Sequence, residues 1–355
     1  MRRLSSPHGE ILIGRSVRLH RGTVCRLDDE AHGFRAMLCT ITAFDAETGK
    51  WVVRLQGKGS DDGELVYASE KALRLVYCLL PTSLSRAKVH CHLAFEDLQG
   101  MCGRGLITKQ FIKAGSILWE DRPIIVVYHG DTSRHEHSHA QWLAHVELTA
   151  RAEQEQELHG HAGEWAAALA AFEDLAFYET ATGSVRNGAT STCARYARSV
   201  FGMKRNSQKS PQQYVADVLM RFRCNAIGGF CNGATSGEPL FGASAVYAFT
   251  SRINHSCAPS VTVIAKEKLL GGTDVTADGD VIVACARRDL NPGERLTFCY
   301  AAEMSLDWDV QQRQAFLRTN MGFTCGCERC VAEETLETET EAGGETCSDG
   351  PSETE

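Results

Sequence analysis

No apolar run of the roughly eighteen residues that a membrane-spanning helix needs occurs in this chain, and none follows Met1-Arg2-Arg3, where a secretory signal would place one. A basic surplus is also missing: the chain holds 37 Lys+Arg against 45 Asp+Glu. Nine of the acids lie in Glu333–Glu355, which has no Lys or Arg, so the remainder is near neutral at 37 against 36. Bulk charge therefore gives no footprint for nucleic acid. Lys204-Arg205 is only a pair, so no address is readable, and nucleus and cytoplasm both stay open. The tail at 332–355, rich in Glu, Thr, Gly and Ser, is expected to be disordered.

Cysteine, by contrast, is abundant: there are 15, an odd count. Without a secretory signal, a reducing compartment with free thiols or metal thiolates is expected rather than disulfides. Four have metal-ligand spacing. The rest, such as Cys39, Cys193 and Cys285, read as small buried hydrophobes. A hydrophobic content of 43% suffices for a core in one to three domains.

Residues 10–78 read as all-β. Val17-Arg-Leu-His-Arg, Ala36-Met-Leu-Cys-Thr-Ile-Thr and Trp51-Val-Val-Arg-Leu predict short strands, with Asp45-Ala-Glu-Thr-Gly49-Lys as a hairpin turn that needs positive φ at Gly49. Further strands are predicted at Glu64–Tyr67 and Lys71–Leu75. The run from Thr40 to Leu55 resembles small SH3-like barrels of the Tudor/KOW kind, with Trp51 in the barrel core. Residues 79–94 read as a connection. Two strands around Lys113-Ala-Gly115 then open a second unit, 95–331. Within it, 128–223 is a helical insert. Trp142, Leu143 and Val146 begin a helical spacing that Trp165, Leu169 and Phe172 continue, and a second helix follows Ser210-Pro211 to about Arg223. The stretch 187–210 reads as a loop. His135, His137 and His139 form a second possible metal site, with His129, His145, His159 and His161 nearby, but a polar surface loop is the expectation for them.

The chemistry concentrates between Arg252 and Cys330. Asn254-His255-Ser256-Cys257-Ala-Pro259 is followed by Gly293-Glu294-Arg-Leu-Thr-Phe298-Cys-Tyr300 and then by Cys325-Gly-Cys327-Glu-Arg-Cys330. The triplet offers three thiolates within one short turn, and a closed tetrahedral zinc site needs a fourth ligand. Together with Gly103-Arg104-Gly105-Leu106, this ordered set resembles the catalytic half of SET-domain protein lysine methyltransferases, of the SMYD-type branch.

That resemblance implies a mainly β SET β-clip fold with a helical insert and a cysteine-rich post-SET zinc segment at 323–331, preceded by the SH3-like barrel. It implies transfer of a methyl group from S-adenosylmethionine to a lysine of a protein, either a histone tail or a non-histone protein, with no membrane and no direct nucleic-acid partner. Arg104, Gly105, Asn225, Asn254, His255 and Phe323 would hold the cofactor. Cys257, Cys325, Cys327 and Cys330 would hold one structural Zn2+. Tyr300 would orient the acceptor amine, with Tyr247 in support. A lysine near pKa 10.4 must lose its proton to react, and an apolar channel beside a sulfonium favours that loss. The chain departs from the branch at Ser260 (usually Asn), Cys102 (often basic) and Met321 (usually aromatic). It also lacks the MYND-type zinc finger between Gly115 and Cys224 and a long helical C-terminal domain. Two other readings follow from these features: a catalytically weak SET-fold scaffold or partner-binding protein, and a reader protein in which the barrel does the binding.

Overall fold

The computed structural model describes residues 11–13, 17–19, 22–29, 34–56, 63–80, 87–97, 104–128, 134–160, 163–176, 193, 210–228, 243–266, 281–300 and 308–342. A ribbon of β1 (Ile11–Ile13) and β2 (Val17–Leu19) precedes five antiparallel strands: β3 (Val24–Asp29), β4 (Phe34–Asp45), β5 (Lys50–Leu55), β6 (Leu65–Ala68) and β7 (Leu73–Leu79). The turn from β4 to β5 forms as predicted, with Gly49 at φ 65° and Asp45 accepting from the Glu47 and Thr48 amides. Lys71 and Ala72, expected to begin a strand, instead end a 3-10 turn (Glu70–Ala72) ahead of β7. Trp51 is 2% exposed and lies 4.8 Å from the Phe44 ring, in a core with Leu27, Ile41 and Val53.

Four short strands follow: β8 (Lys88–Val89), β9 (Leu93–Asp97), β10 (Arg104–Thr108) and β11 (Ile117–Asp121). They precede β12 (Pro123–Tyr128). Strand β12 is buried at every position, as a continuous Ile/Val run between two neighbouring strands must be. Pro123 stands first, where a strand tolerates its missing N–H. Strand β7 bonds to β3 on one side and to β12 on the other. One eight-stranded sheet therefore runs from β6 through β5, β4, β3, β7 and β12 to β14 (Ala243–Tyr247) and β13 (Ile227–Gly228). The connection expected over 79–94 is not structureless: it holds the end of β7, then β8 and the start of β9.

The insert is helical. It comprises α1 (Arg134–His159), α2 (Glu164–Glu173) and α3 (Pro211–Asn225). The Glu155 carboxylate of α1 accepts the first amides of α2, which have no partner within their own helix. Ser210 and Gln213 form a capping box around Pro211, which stands in the first helical turn as the sequence indicated. Trp142, His145, Phe172, Val218 and Phe222 seal one face of the large sheet. His135, His137 and His139 therefore lie on α1 rather than on the expected loop, and His145, further along the same helix, is buried. Burial, and then Arg221, pulls its pKa down to about 3, so it is a neutral core residue. Most of the loop expected at 187–210 lies outside the described residues, as do His129 and His161.

Two smaller sheets complete the second unit. Strands β15 (Asn254–His255), β18 (Arg295–Phe298), β10 and β9 form one, with β15 parallel to β18. Strands β16 (Val261–Ala265), β17 (Ile282–Ala286), β11 and β8 form the other. Helix α4 (Val310–Met321) starts at an Asp309–Gln312 capping box and stops at Gly322, φ 81°. Helix α5 (Glu328–Ala342) starts directly after Cys327 and carries Cys330 in its first turn. The tail expected to be disordered from 332 is thus helical to Ala342. The Glu-Thr composition suggested a solvated chain, but α4 supplies partners in Arg313 for Glu333 and Gln314 for Glu334.

Candidate active site

The parallel pairing of β15 with β18 sets Asn254 beside Thr297 and His255 beside Phe298. Asn254 Nδ2 donates to the Arg104 carbonyl at 3.1 Å, joining the start of β10 to the Asn-His pair across 150 residues. Arg104 is exposed and Gly105 is buried behind it. Tyr300 N–H donates to His255 Nδ1 at 3.1 Å, and the Tyr300 hydroxyl donates to the Ile253 carbonyl at 2.7 Å. Burial pulls His255 down to about 4 against an opposing push from Cys327. The ring is therefore neutral. Since Nδ1 accepts, Nε2 carries the proton, and it lies 3.3 Å from Cys257 Sγ.

Around these groups stand aromatic rings. Tyr300 has its centroid 5.0 Å from Phe298, 5.2 Å from His255 and 6.2 Å from Phe323. The Phe323 ring lies 5.7 Å from His255. Phe323, Asn254, His255, Tyr300 and Arg104 are thus brought together. Asn225 and Tyr247 stand further back. The Asn225 side chain donates to the Ala176 and Arg221 carbonyls, while its own carbonyl accepts from Ser251 Oγ at 2.8 Å. Tyr247 is 1% exposed, packs in the apolar cluster of Tyr128, Ala245 and Ile282, and donates its backbone N–H to Ser251 Oγ.

A buried network that the sequence reading missed supports the loop. Asp121, at the end of β11, accepts from Thr250 N–H and Thr250 Oγ1, both at 2.8 Å, and Trp119 Nε1 donates to Thr250 Oγ1 at 2.9 Å. Burial outweighs these bonds and raises Asp121 to about 7. The network fixes the 3-10 turn Thr250–Arg252, directly before the Ile253 carbonyl that Tyr300 engages. Ser260, one of the departures, is also satisfied: its hydroxyl donates to Arg295 O at 3.0 Å and accepts Thr297 N–H at 2.9 Å. Met321 packs in the cluster that contains Cys257, Leu317 and Phe323.

The Sγ atoms of Cys257, Cys325, Cys327 and Cys330 lie within 4.8 Å of one another, the one such metal-capable group among the described residues. Cys257 Sγ is 3.9 Å from Cys325 Sγ and 3.6 Å from Cys330 Sγ. A metal–sulfur bond of about 2.3 Å gives a tetrahedron edge of about 3.8 Å, so the donor set fits a tetrahedral ion. Contact with Cys325, then Cys327, pushes the Cys257 thiol up, whereas contacts with Cys257 and Cys325 pull Cys327 down. The other described cysteines follow the expected burial only in part, since Cys91, Cys224 and Cys299 are partly exposed. Cys25, Cys39, Cys78, Cys193 and Cys285 are buried, and burial raises Cys39 to about 12.

The sequence profile of the SET domain matches residues 103–301. The chain belongs to the SET-domain family, and its fold is mostly β with some helices. It is similar to a histone-lysine N-methyltransferase SET5 of Scheffersomyces stipitis, 36% identical over 24% of this chain and 16% of that protein. A potential protein lysine methyltransferase SET6 of Saccharomyces cerevisiae is 29% identical over 31% of this chain and 26% of that one. The chain thus spans about a quarter or less of these relatives' own length. The solved structure of Rubisco LSMT bound to sinefungin and monomethyllysine aligns over 70% of this chain and 56% of that one, at 13% identity and TM-score 0.38. Among the described residues no helix is long and apolar enough to cross a membrane.

Proposed function

We propose that this chain is a protein-lysine N-methyltransferase that uses S-adenosylmethionine. The observation that carries the reading is the joined group of Tyr300, Ile253, Asn254, His255 and Arg104, closed by Phe323. The names of the relatives, histone-lysine and protein lysine methyltransferases, support it, and histones are one substrate class among protein lysines. Arg104 offers a cation for a carboxylate, and the Asn254 amide with neighbouring backbone carbonyls offers partners for an amine. This donor set suits the methionine end of the cofactor. Gly105 leaves room for close backbone approach. His255 and Phe323 supply apolar faces, and the Asn225 carbonyl holds the Ser251 turn. The cofactor supplies the transferable methyl group. Tyr300, with its ring among Phe298, His255 and Phe323, orients the acceptor amine and keeps water from it. Tyr247 is assigned a supporting role behind the channel. Zinc on the four cysteines would hold the segment after α4 against Asn254–Cys257 and so keep Phe323 over the site. Residues 10–78 are read as the SH3-like unit and residues 95–331 as the SET unit.

Isothermal titration of the zinc-replete chain with S-adenosylmethionine and S-adenosylhomocysteine tests the cofactor site, and labelled methyl incorporation into cell-lysate proteins tests transfer. Binding with transfer to lysine supports the enzyme. Binding without turnover on any protein leaves the scaffold reading in its place. Tyr300→Phe should abolish transfer while sparing cofactor affinity; unchanged turnover would remove Tyr300 from the mechanism.

A further inference from the structure

The cysteine cluster is flanked by a positive charge that lies outside the cysteine motif. Arg313 of α4 is 1% exposed. Its Nη1 donates to the Trp308 carbonyl at 2.5 Å and its Nη2 to Glu333 Oε2 at 2.6 Å; the same Nη2 lies 3.7 Å from Cys330 Sγ. The next residue, Gln314, is also buried. It grips Cys325 by both ends of its amide, donating to the Cys325 carbonyl at 2.7 Å and accepting the Cys325 N–H at 2.8 Å, and it reaches Glu334 at 3.1 Å. Two adjacent residues of one helix therefore hold both the turn at Cys325 and the helix that carries Cys330.

The charge balance gives this arrangement a direction. Four thiolates around one divalent ion leave a surplus of negative charge in a partly buried site. A buried guanidinium is costly without anionic partners. Glu333 is one, but it is only partly buried. The Cys330 sulfur becomes the second when it is a metal-bound thiolate, because a charge-assisted N–H···S contact is then available. The contact is thus stronger with the ion bound than with protonated thiols.

We propose that Arg313 is a positioning residue of the metal site. By donating to the Cys330 sulfur and setting a positive charge against the thiolates, it raises the affinity of the cluster for a thiophilic divalent ion. Gln314 fixes the Cys325 turn beside it. The inference rests on the reading that the four cysteines hold zinc.

The test uses the full chain loaded with Zn2+ or Co2+ and titrated against a chromophoric chelator, comparing the unaltered protein with R313M and R313K. R313M should lose metal affinity by about 10–100-fold, the usual effect of removing a partner of a ligand, and R313K should recover part of it. The sulfur-to-cobalt charge-transfer band should also move in R313M, since Cys330 no longer accepts an N–H. A role limited to packing would leave that band in place. Equal affinity with an unmoved band overturns the assignment of Arg313 alone. Failure of the unaltered chain to take up either ion overturns the zinc reading and this inference with it. Should R313M not fold, the unaltered chain loaded with cadmium-113 decides: scalar coupling from the ion through sulfur to the Arg313 side-chain protons is expected, and resolved protons without coupling refute the contact.

Discussion

Asp121 and His145 are buried groups that titrate in opposite senses. The folded pKa of Asp121 is raised from 3.8 to about 7 by burial, so its contribution to stability is full below 3.8 and is lost as pH rises through 7. His145 is lowered from 6.5 to about 3, so its contribution is full above 6.5 and is lost as pH falls through 3. Between pH 4 and 6.5 the two slopes nearly cancel, each reaching at most about 1.4 kcal/mol per pH unit. Single variants should uncover them. Relative to the unaltered chain, Asp121→Asn should gain stability as pH rises across this window, and His145→Gln should lose it. Urea unfolding at three pH values measures both, and slopes of the same sign would show that burial does not set these titrations. The two kinds of residue also differ in how visible they were. Asn254, His255, Cys257, Tyr300 and the cysteine triplet were legible because their chemistry admits few residue types at fixed spacing. Asp121 was not, because its partner Thr250 stands 129 residues away and an acid after Trp119-Glu120 carries no local signal.

Helix α4 shows what is legible of an element and what is not. Its capping box at Asp309 and its left-handed stop at Gly322 are local features, but its role depends on what it touches: the Cys325 turn and helix α5. For the same reason the Glu-Thr run after Cys330 looked solvated and yet forms a helix, held by residues that lie 20 positions upstream. Gly322→Ala should cost about 1–2 kcal/mol, because an L side chain is strained at that φ. The strain falls next to Phe323, so S-adenosylhomocysteine affinity should drop with it, while Gly322→Asn, which tolerates the conformation better, should lose less of both. Calorimetric unfolding and titration check the pair. A stable variant with weakened binding would place Phe323 orientation, rather than helix stability, as the consequence of that glycine.

At the scale of the molecule, strand β7 is the joint. Hydrogen-bonded to β3 and to β12, it makes the N-terminal strands and the second unit share one sheet. We expect a single cooperative unfolding transition, with tryptophan fluorescence (Trp51 in one core, Trp119 and Trp142 in the others) and far-UV dichroism coinciding. Two separated transitions would show that the pairing across β7 does not couple the units. The sequence pattern located β2, β4, β5, β6 and β7 approximately, missed β1 and β3, and could not reveal this joint, because pairing partners are chosen by tertiary packing rather than by period. The cysteine cluster has a consequence in time. Cys257 and Cys330 are 73 residues apart, which at ribosomal speed separates their synthesis by about 4–15 s. Through that interval the first thiol waits without its partners, and the group around Tyr300 has no Phe323 to close it. The four-sulfur group can therefore form only after Cys330 has been made, at the end of the interval.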